Sequence, residues 1–589
     1  MGWKITGGAL LSLVCMCAHG APTQRVDERP VEISRTPAGI YVVDFGRVAF
    51  GNLRLTAPAS GTVTVHFGEA SKDGRIDRKP PQTVRYNTAS VELKANTAVV
   101  AAPPVDKRNT DIASPKHPPA ILTPDEWGVV MPFRWVEIEG WTGALTPDQI
   151  VRQSVFAATW DDAAASFESS DAMLDRIWEL CRYSIKATTF AGVYVDGDRE
   201  RIPYEADAYL NQLSHYYTDF DKQMARDTFD RLMKYPTWPT EWAPHMVFMA
   251  HADWMHTGDA DWLKPRYEAL KTKTLMERRG ADGLVASDAK DIKRDDIIDW
   301  PVGERDGYVR TGVNTVVNAF HIRSLEMMAE LARAVGRNKE AGEFDSLAHA
   351  SRERFQKTLF DAETGLFRDG AETDHTALHA NLFPLAFGLV PQEARAAMAG
   401  WLAQRGMRCS VYAAQYLMEA LFENGADEQA LELILAENDR SWRHMVESGT
   451  TITWEAWDHK YKSNQDWNHA WGAAPANLLP RYVLGVEPLA PGWKTARIRP
   501  CVGGLEFAKG QVPTPRGAVR VAWKKPAPDR FSLSIVLPQG MDARVELPFV
   551  WETGGILCNG RPVKATPVGD RWVVDQAVEG TAVFEVRKN

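Results

Sequence analysis

Cysteine is scarce: the chain has six in 589 residues, and two of them, Cys15 and Cys17, lie in an apolar run at the start. The other four, Cys181, Cys409, Cys501 and Cys558, are far apart and show neither close pairs nor metal-ligand spacing. Folding therefore needs no disulfide framework, and a zinc site is not expected. An excess of positive charge is missing too: 68 Lys and Arg face 77 Asp and Glu, for a net charge of −9. A chain with no basic surplus is a poor fit for a phosphate backbone, so nucleic acid is excluded as the expected partner. Beyond the first 20 residues no apolar stretch is long enough to span a bilayer. No phosphate-binding glycine loop, dinucleotide fingerprint or serine nucleophile elbow is present. The acidic run "SDAKDIKRDDIID" lacks the ligand spacing and central glycine of a calcium loop.

What is present begins with "MGWKITGGALLSLVCMCAHG". Lys4, the apolar run from Ile5 to Cys17 and the exit Ala18-His19-Gly20 have the layout of a secretory signal peptide over residues 1–20. That layout predicts a periplasmic or secreted protein. The residues before Cys15 and Cys17 are not the small ones a lipid-anchor site uses. A length of 589 exceeds what one core usually serves, and two to three domains are expected.

Residues 21–165 read as strands. "TVTVHFGE" alternates Val63, Val65 and Phe67 on one face, and "RWVEIEG" sets Val136 and Ile138 against Glu137 and Glu139. A Pro- and Ala-rich excursion over residues 99–124 interrupts them. From residue 166 to 486 the apolar period becomes helical, as in "SDAMLDRIWELCRYSI", whose stripe runs through Met173, Leu174, Ile177, Trp178, Cys181 and Ile185 behind a Ser170-Asp171 cap signal. About twelve such segments suit helices paired into a ring. In residues 487–589 alternation returns, with Phe531, Leu533, Ile535 and Leu537 on one face.

Two clusters carry chemistry. "VYVDGDRERIPYEADAYLNQ" crowds Asp196, Asp198, Glu200, Glu205 and Asp207 around Arg199 and Arg201, and Pro203 predicts a helix start after the acidic loop. Acids at a helix start are equally well explained as simple stabilisers of its dipole. "ESGTTITWEAWDHKYKSNQDWNHAWG" sets Glu455 between Trp454 and Trp457, with His469 behind. Indoles interleaved with acids suit a saccharide, which offers an apolar C–H face and hydroxyls at once. "DIIDWPVGERDGY", with Trp300 and Glu304, and "YPTWPTEWAPH" repeat the theme. Two carboxyl groups facing each other across a sugar are what glycosidic hydrolysis needs. His375 and His379, four apart, have the spacing of metal ligands on one helix face, but no acid motif accompanies them.

The acidic loop "DGDRERIPYEAD" and the segment "GTTITWEAW" resemble the bacterial α-L-rhamnosidase family of inverting glycoside hydrolases, as does "YVLGVEPLAPGWKTARIRP" at the passage to the C-terminal part. The resemblance implies an (α/α)₆ toroid flanked by N-terminal and C-terminal antiparallel β-sandwich domains. It implies Glu200 as general acid, held protonated by its acidic neighbours, and Glu455 as general base. Asp196, Arg199, Tyr204, Asp207, Trp300, Glu304, Trp457 and His469 would bind the sugar. No cofactor and no metal are called for, and the partner expected is a rhamnose-containing glycan. Tyr204 stands where the family usually has Trp, and Glu205-Ala206 replaces a neutral pair, which adds a carboxylate next to the sugar. Rival readings are a hydrolase of a different glycoside or a polysaccharide lyase on the same helical scaffold, and a non-catalytic glycan-binding protein. Linkage, aglycone and oligomeric state are left open by the sequence.

Overall fold

The computed structural model describes residues 22–105, 119–548 and 553–588. The signal peptide expected over residues 1–20 and the middle of the Pro/Ala-rich excursion lie outside the described residues. The β-rich ends and helical middle expected from the sequence are present.

The N-terminal part is an antiparallel sheet of eight strands. Its main order is Thr23–Glu28, Ile150–Ala157, Tyr41–Thr56, Met131–Glu139, Gly61–Gly68, Tyr86–Leu93. The alternation read in "TVTVHFGE" is that of the structure: Val63, Val65 and Phe67 are buried with Phe133, Val136 and Ile138. The sixteen-residue strand Tyr41–Thr56 changes register between Asp44 and Ala49, where Gly46 adopts φ +79°. Such an irregularity bends the strand.

In the middle, helix Ala172–Thr188 starts where the cap signal predicts. Asp171 accepts the backbone N–H groups of Met173 and Leu174, and Leu174, Ile177, Trp178, Cys181 and Ile185 are buried. Thr315–Ala334 and Asn338–Leu359 form a helical hairpin, turned at Gly336 with φ +80°. No helix among the described residues is long and apolar enough to cross a membrane.

The C-terminal part holds a seven-stranded and a six-stranded sheet. Phe531, Leu533 and Ile535 of strand Arg530–Val536 are buried, as their alternation predicts. One partner is remote in sequence: Ser166–Ser169 pairs antiparallel with Phe507–Val512. A Cβ at Gly510 would meet the Ser166 carbonyl oxygen at 2.2 Å, so only glycine allows this approach.

Candidate active site

Residues 196–202 form a loop closed on itself. Asp196 N–H donates to the Ile202 carbonyl (2.9 Å) and Arg201 N–H to the Gly197 carbonyl (3.2 Å). The turn uses left-handed backbone at Gly197 (φ +130°) and Arg201 (φ +53°). A Cβ at Gly197 would lie 2.8 Å from Asp466 Oδ2, so glycine lets the acidic loop meet the second cluster. Inside the loop, Asp198 takes two hydrogen bonds from the Arg201 guanidinium, at 2.9 and 2.7 Å. Glu200 stands at the tip, 37% exposed, and Tyr204 Oη–H donates to its Oε2 at 2.7 Å. The helix that follows is Glu205–Tyr216, with Tyr204 at its N-cap, so Pro203 lies just outside the helix rather than at its first residue.

The second cluster is a clasp. His469 N–H donates to the Thr453 carbonyl (2.9 Å), Glu455 N–H to the Asp466 carbonyl (3.0 Å) and Asp466 N–H back to Glu455 Oε2 (3.0 Å). Glu455, 3% exposed, receives Arg199 Nη1 at 2.8 Å and Nη2 at 3.1 Å, and Lys462 Nζ at 3.1 Å. Burial works to raise this carboxyl, but Arg199, aided by Lys462, holds it down to about 2. It is ionised at neutral pH.

Arg199 thus touches both glutamates, since its Nε lies 3.4 Å from Glu200 Oε1. Burial first, and then the charge of Glu200, lift the Asp196 carboxyl well above the usual carboxylate range. Burial, then Glu455, lifts Asp207 likewise. Burial pushes His469 down to about 3, so its ring is neutral.

These groups line one cavity: Asp196, Arg199, Glu200, Tyr204, Asp207, Glu455 and His469 on its polar side, with Trp238, Trp242, Ile297, Trp300 and Trp471 completing the wall. Asp207 Oδ1 and His469 Nδ1 are buried with no hydrogen-bond partner; His469 Nε2 lies 3.5 Å from Asp207 without bonding it. A buried polar atom left unpaired is costly, so both suit a ligand's hydroxyl groups. Eight of the ten residues expected from the sequence therefore converge here.

Trp457 and Glu304 do not. The chain bends through Glu455–Trp457 and turns the indole into the core, where it is 0% exposed. There it donates Nε1–H to the Cys409 carbonyl (2.7 Å) and meets Trp442 edge-on at 5.0 Å. Trp457→Ala should accordingly cost about 3–5 kcal/mol of stability in urea unfolding. A variant of parental stability but weakened sugar binding would return Trp457 to the cavity wall. Glu304, in the short turn Val302–Glu304, is 1% exposed and ion-paired with Arg440 rather than facing the cavity. Burial, against Arg440, sets its carboxyl at about 7.

Glu205 also turns away: its carboxylate accepts the Thr237 N–H at 2.9 Å and the Thr237 hydroxyl, tying down the segment that carries Trp238 and Trp242. The latter two indoles were visible in "YPTWPTEWAPH" only as a cluster without assigned roles, Trp471 only as a neighbour of His469, and Ile297 had no signal. His375 and His379 do not share a helix face, because the helix begins at His379. Their rings go to Asp369 and Asp299, at 2.6 and 2.7 Å. Among the described residues no group of three or more His, Cys, Asp or Glu is arranged to hold a metal.

Residues 162–483 match the bacterial alpha-L-rhamnosidase 6 hairpin glycosidase domain, and residues 485–554 the bacterial alpha-L-rhamnosidase C-terminal domain. An alpha-L-rhamnosidase of Alteromonas sp. (strain LOR) is 25% identical over 571 residues, covering 90% of this chain but 58% of its own length. The chain thus spans little more than half of that relative. The structure of an alpha-L-rhamnosidase from Dictyoglumus thermophilum superposes with a TM-score of 0.78 at 18% identity, over 96% of this chain and 63% of the other. That of Streptomyces avermitilis alpha-L-rhamnosidase complexed with L-rhamnose gives 0.76, also at 18% identity, over 96% and 54%. Identities this low establish a shared fold.

Proposed function

Because the chain belongs to the bacterial alpha-L-rhamnosidase six-hairpin glycosidase family, we propose that it hydrolyses terminal α-L-rhamnosyl bonds of a glycan, with inversion at the anomeric carbon. The observation that carries this reading is Arg199, whose guanidinium contacts Glu200 through Nε and Glu455 through both Nη atoms, on the wall of one cavity. An inverting pair needs its carboxyl groups far enough apart to admit a sugar carbon and a water. Glu200 gives a proton to the leaving glycosidic oxygen. Glu455 takes one from the water that attacks the opposite face of the ring.

The two sides differ in charge, as acid and base must. Asp196 keeps a proton beside Glu200, while Arg199 and Lys462 keep Glu455 ionised. The unpaired Asp207 Oδ1 and His469 Nδ1 bind sugar hydroxyls, and Trp300, Trp242 and Trp471 receive the apolar ring face and the 6-methyl group. The reading takes the action to be exo, on a terminal rhamnosyl residue. The same reading has the helices pair into an (α/α)₆ ring over residues 166–486 between β-sandwich domains at 21–165 and 487–589. It has the protein exported to the periplasm or beyond after loss of residues 1–20.

The deciding experiment is hydrolysis of an aryl α-L-rhamnoside with the product anomer followed by NMR. β-L-Rhamnose appears first if the reading holds. First appearance of the α-anomer, or release of other sugars from aryl glycosides but not of rhamnose, would sink it.

A further inference from the structure

The connection between strands Gly61–Gly68 and Tyr86–Leu93 bonds to both the Glu200 loop and the Glu455 clasp. Arg85, 2% exposed, pairs through Nε with the Asp198 carboxylate and donates Nη2–H to the Asp198 carbonyl at 3.1 Å. Its own N–H donates to Glu69 Oε2 at 2.9 Å. Glu69 Oε1 in turn accepts from Asn468 Nδ2 at 2.9 Å, while Asn468 Oδ1 accepts the Asp198 N–H at 2.8 Å. Thr83 Oγ1–H donates to the Gln465 carbonyl at 2.6 Å.

These bonds form a closed circuit. Asp198 belongs to the Glu200 loop, Gln465 and Asn468 to the Glu455 clasp, and Glu69, Thr83 and Arg85 to the connection between two strands of the N-terminal sheet, more than a hundred residues upstream. The Glu200 loop contains two left-handed residues and has no regular secondary structure of its own, so its position must be imposed from outside.

We propose that Arg85, Glu69 and Thr83 are positioning residues that set the placement of Glu200 relative to Glu455, making the N-terminal sheet an integral part of the catalytic apparatus. The inference rests on the hydrolase reading only for its kinetic consequence. An inverting pair depends on its separation, and misplacement by about 1 Å can cost on the order of 10²-fold in rate. Asp198 is buried, and two cations, Arg201 and Arg85, hold its carboxyl low against that burial and against the facing Glu69 and Asp466. Loss of Arg85 removes one of the cations that hold Asp198 low, so Asp198 ionises, and grips Arg201, only at higher pH.

The test uses the full chain with Arg85→Ala, Glu69→Gln and Thr83→Ala. Arg85→Ala should lower kcat by about 10²-fold with KM little changed. Its acidic limb should move to higher pH, and added guanidinium should restore part of the rate. Thr83→Ala and Glu69→Gln should show smaller losses of the same kind; they carry the test if Arg85→Ala does not fold. Hydrogen exchange should quicken in both residues 196–202 and 464–469. Parental kcat, pH limb and exchange in folded variants would overturn the inference. A parent that releases no rhamnose would defeat the hydrolase reading alone, and exchange in the two segments would still decide the positioning role.

Discussion

Glu200→Gln and Glu455→Gln should each lower kcat by about 10²–10⁴-fold on a natural rhamnoside, and they should differ in how the leaving group matters. Glu200 serves the departing oxygen, so a nitrophenyl or similar leaving group, which departs without a proton, should recover much of the lost rate in Glu200→Gln. Glu455 serves the incoming water, and no leaving group replaces that. In Glu455→Gln both substrates should suffer alike. The variants should fold, because Gln keeps the size of Glu and can still accept from Arg199 and the Asp466 N–H. Near-parental rates on a poor leaving group in either variant would strip that residue of its role. An interchange of the two leaving-group patterns would reverse the assignment of acid and base.

Arg199→Met should be nearly as damaging, with about 10²–10³-fold lost from kcat/KM, because a side chain in contact with both glutamates is removed. The pH dependence carries the sharper signature. With Arg199 present, Glu455 sits at about 2 and is ionised throughout the working range. Without it, burial dominates and the carboxyl rises, so the acidic limb of kcat/KM should appear at higher pH than in the parent. Stability should follow the same linkage. A Glu lowered from about 4.3 in the unfolded chain to about 2 in the fold stabilises the protein above the higher value. That contribution fades as pH falls toward the lower value. Arg199→Met should therefore narrow the difference in urea stability between pH 7 and pH 3. An unmoved acidic limb would show that Arg199 does not govern Glu455.

Much of this site was legible because its signals are local. Asp196, Arg199, Glu200, Tyr204 and Asp207 lie within twelve residues, and a loop ending at a helix start keeps such neighbours together. Glu455 and His469 are fourteen apart on one clasp. Trp457, only two residues from Glu455, was misread because a bend, and not a strand, carries the chain past it, so its direction could not be taken from spacing. Glu304 looked like a sugar ligand until Arg440, 136 positions later, claimed it.

The sequence alone determined the order of β, α and β regions, the helix caps, the alternating faces of the strands and the two acid-bearing segments, since all of these depend on residues a few positions apart. Only the tertiary structure decided that Arg199 bridges both glutamates, that Ser166–Ser169 joins a sheet of the C-terminal part, and that Arg85 anchors Asp198 across 113 positions. The reason is physical: desolvation and ion pairing act through space in a medium of low dielectric, and their partners are chosen by packing rather than by proximity along the chain.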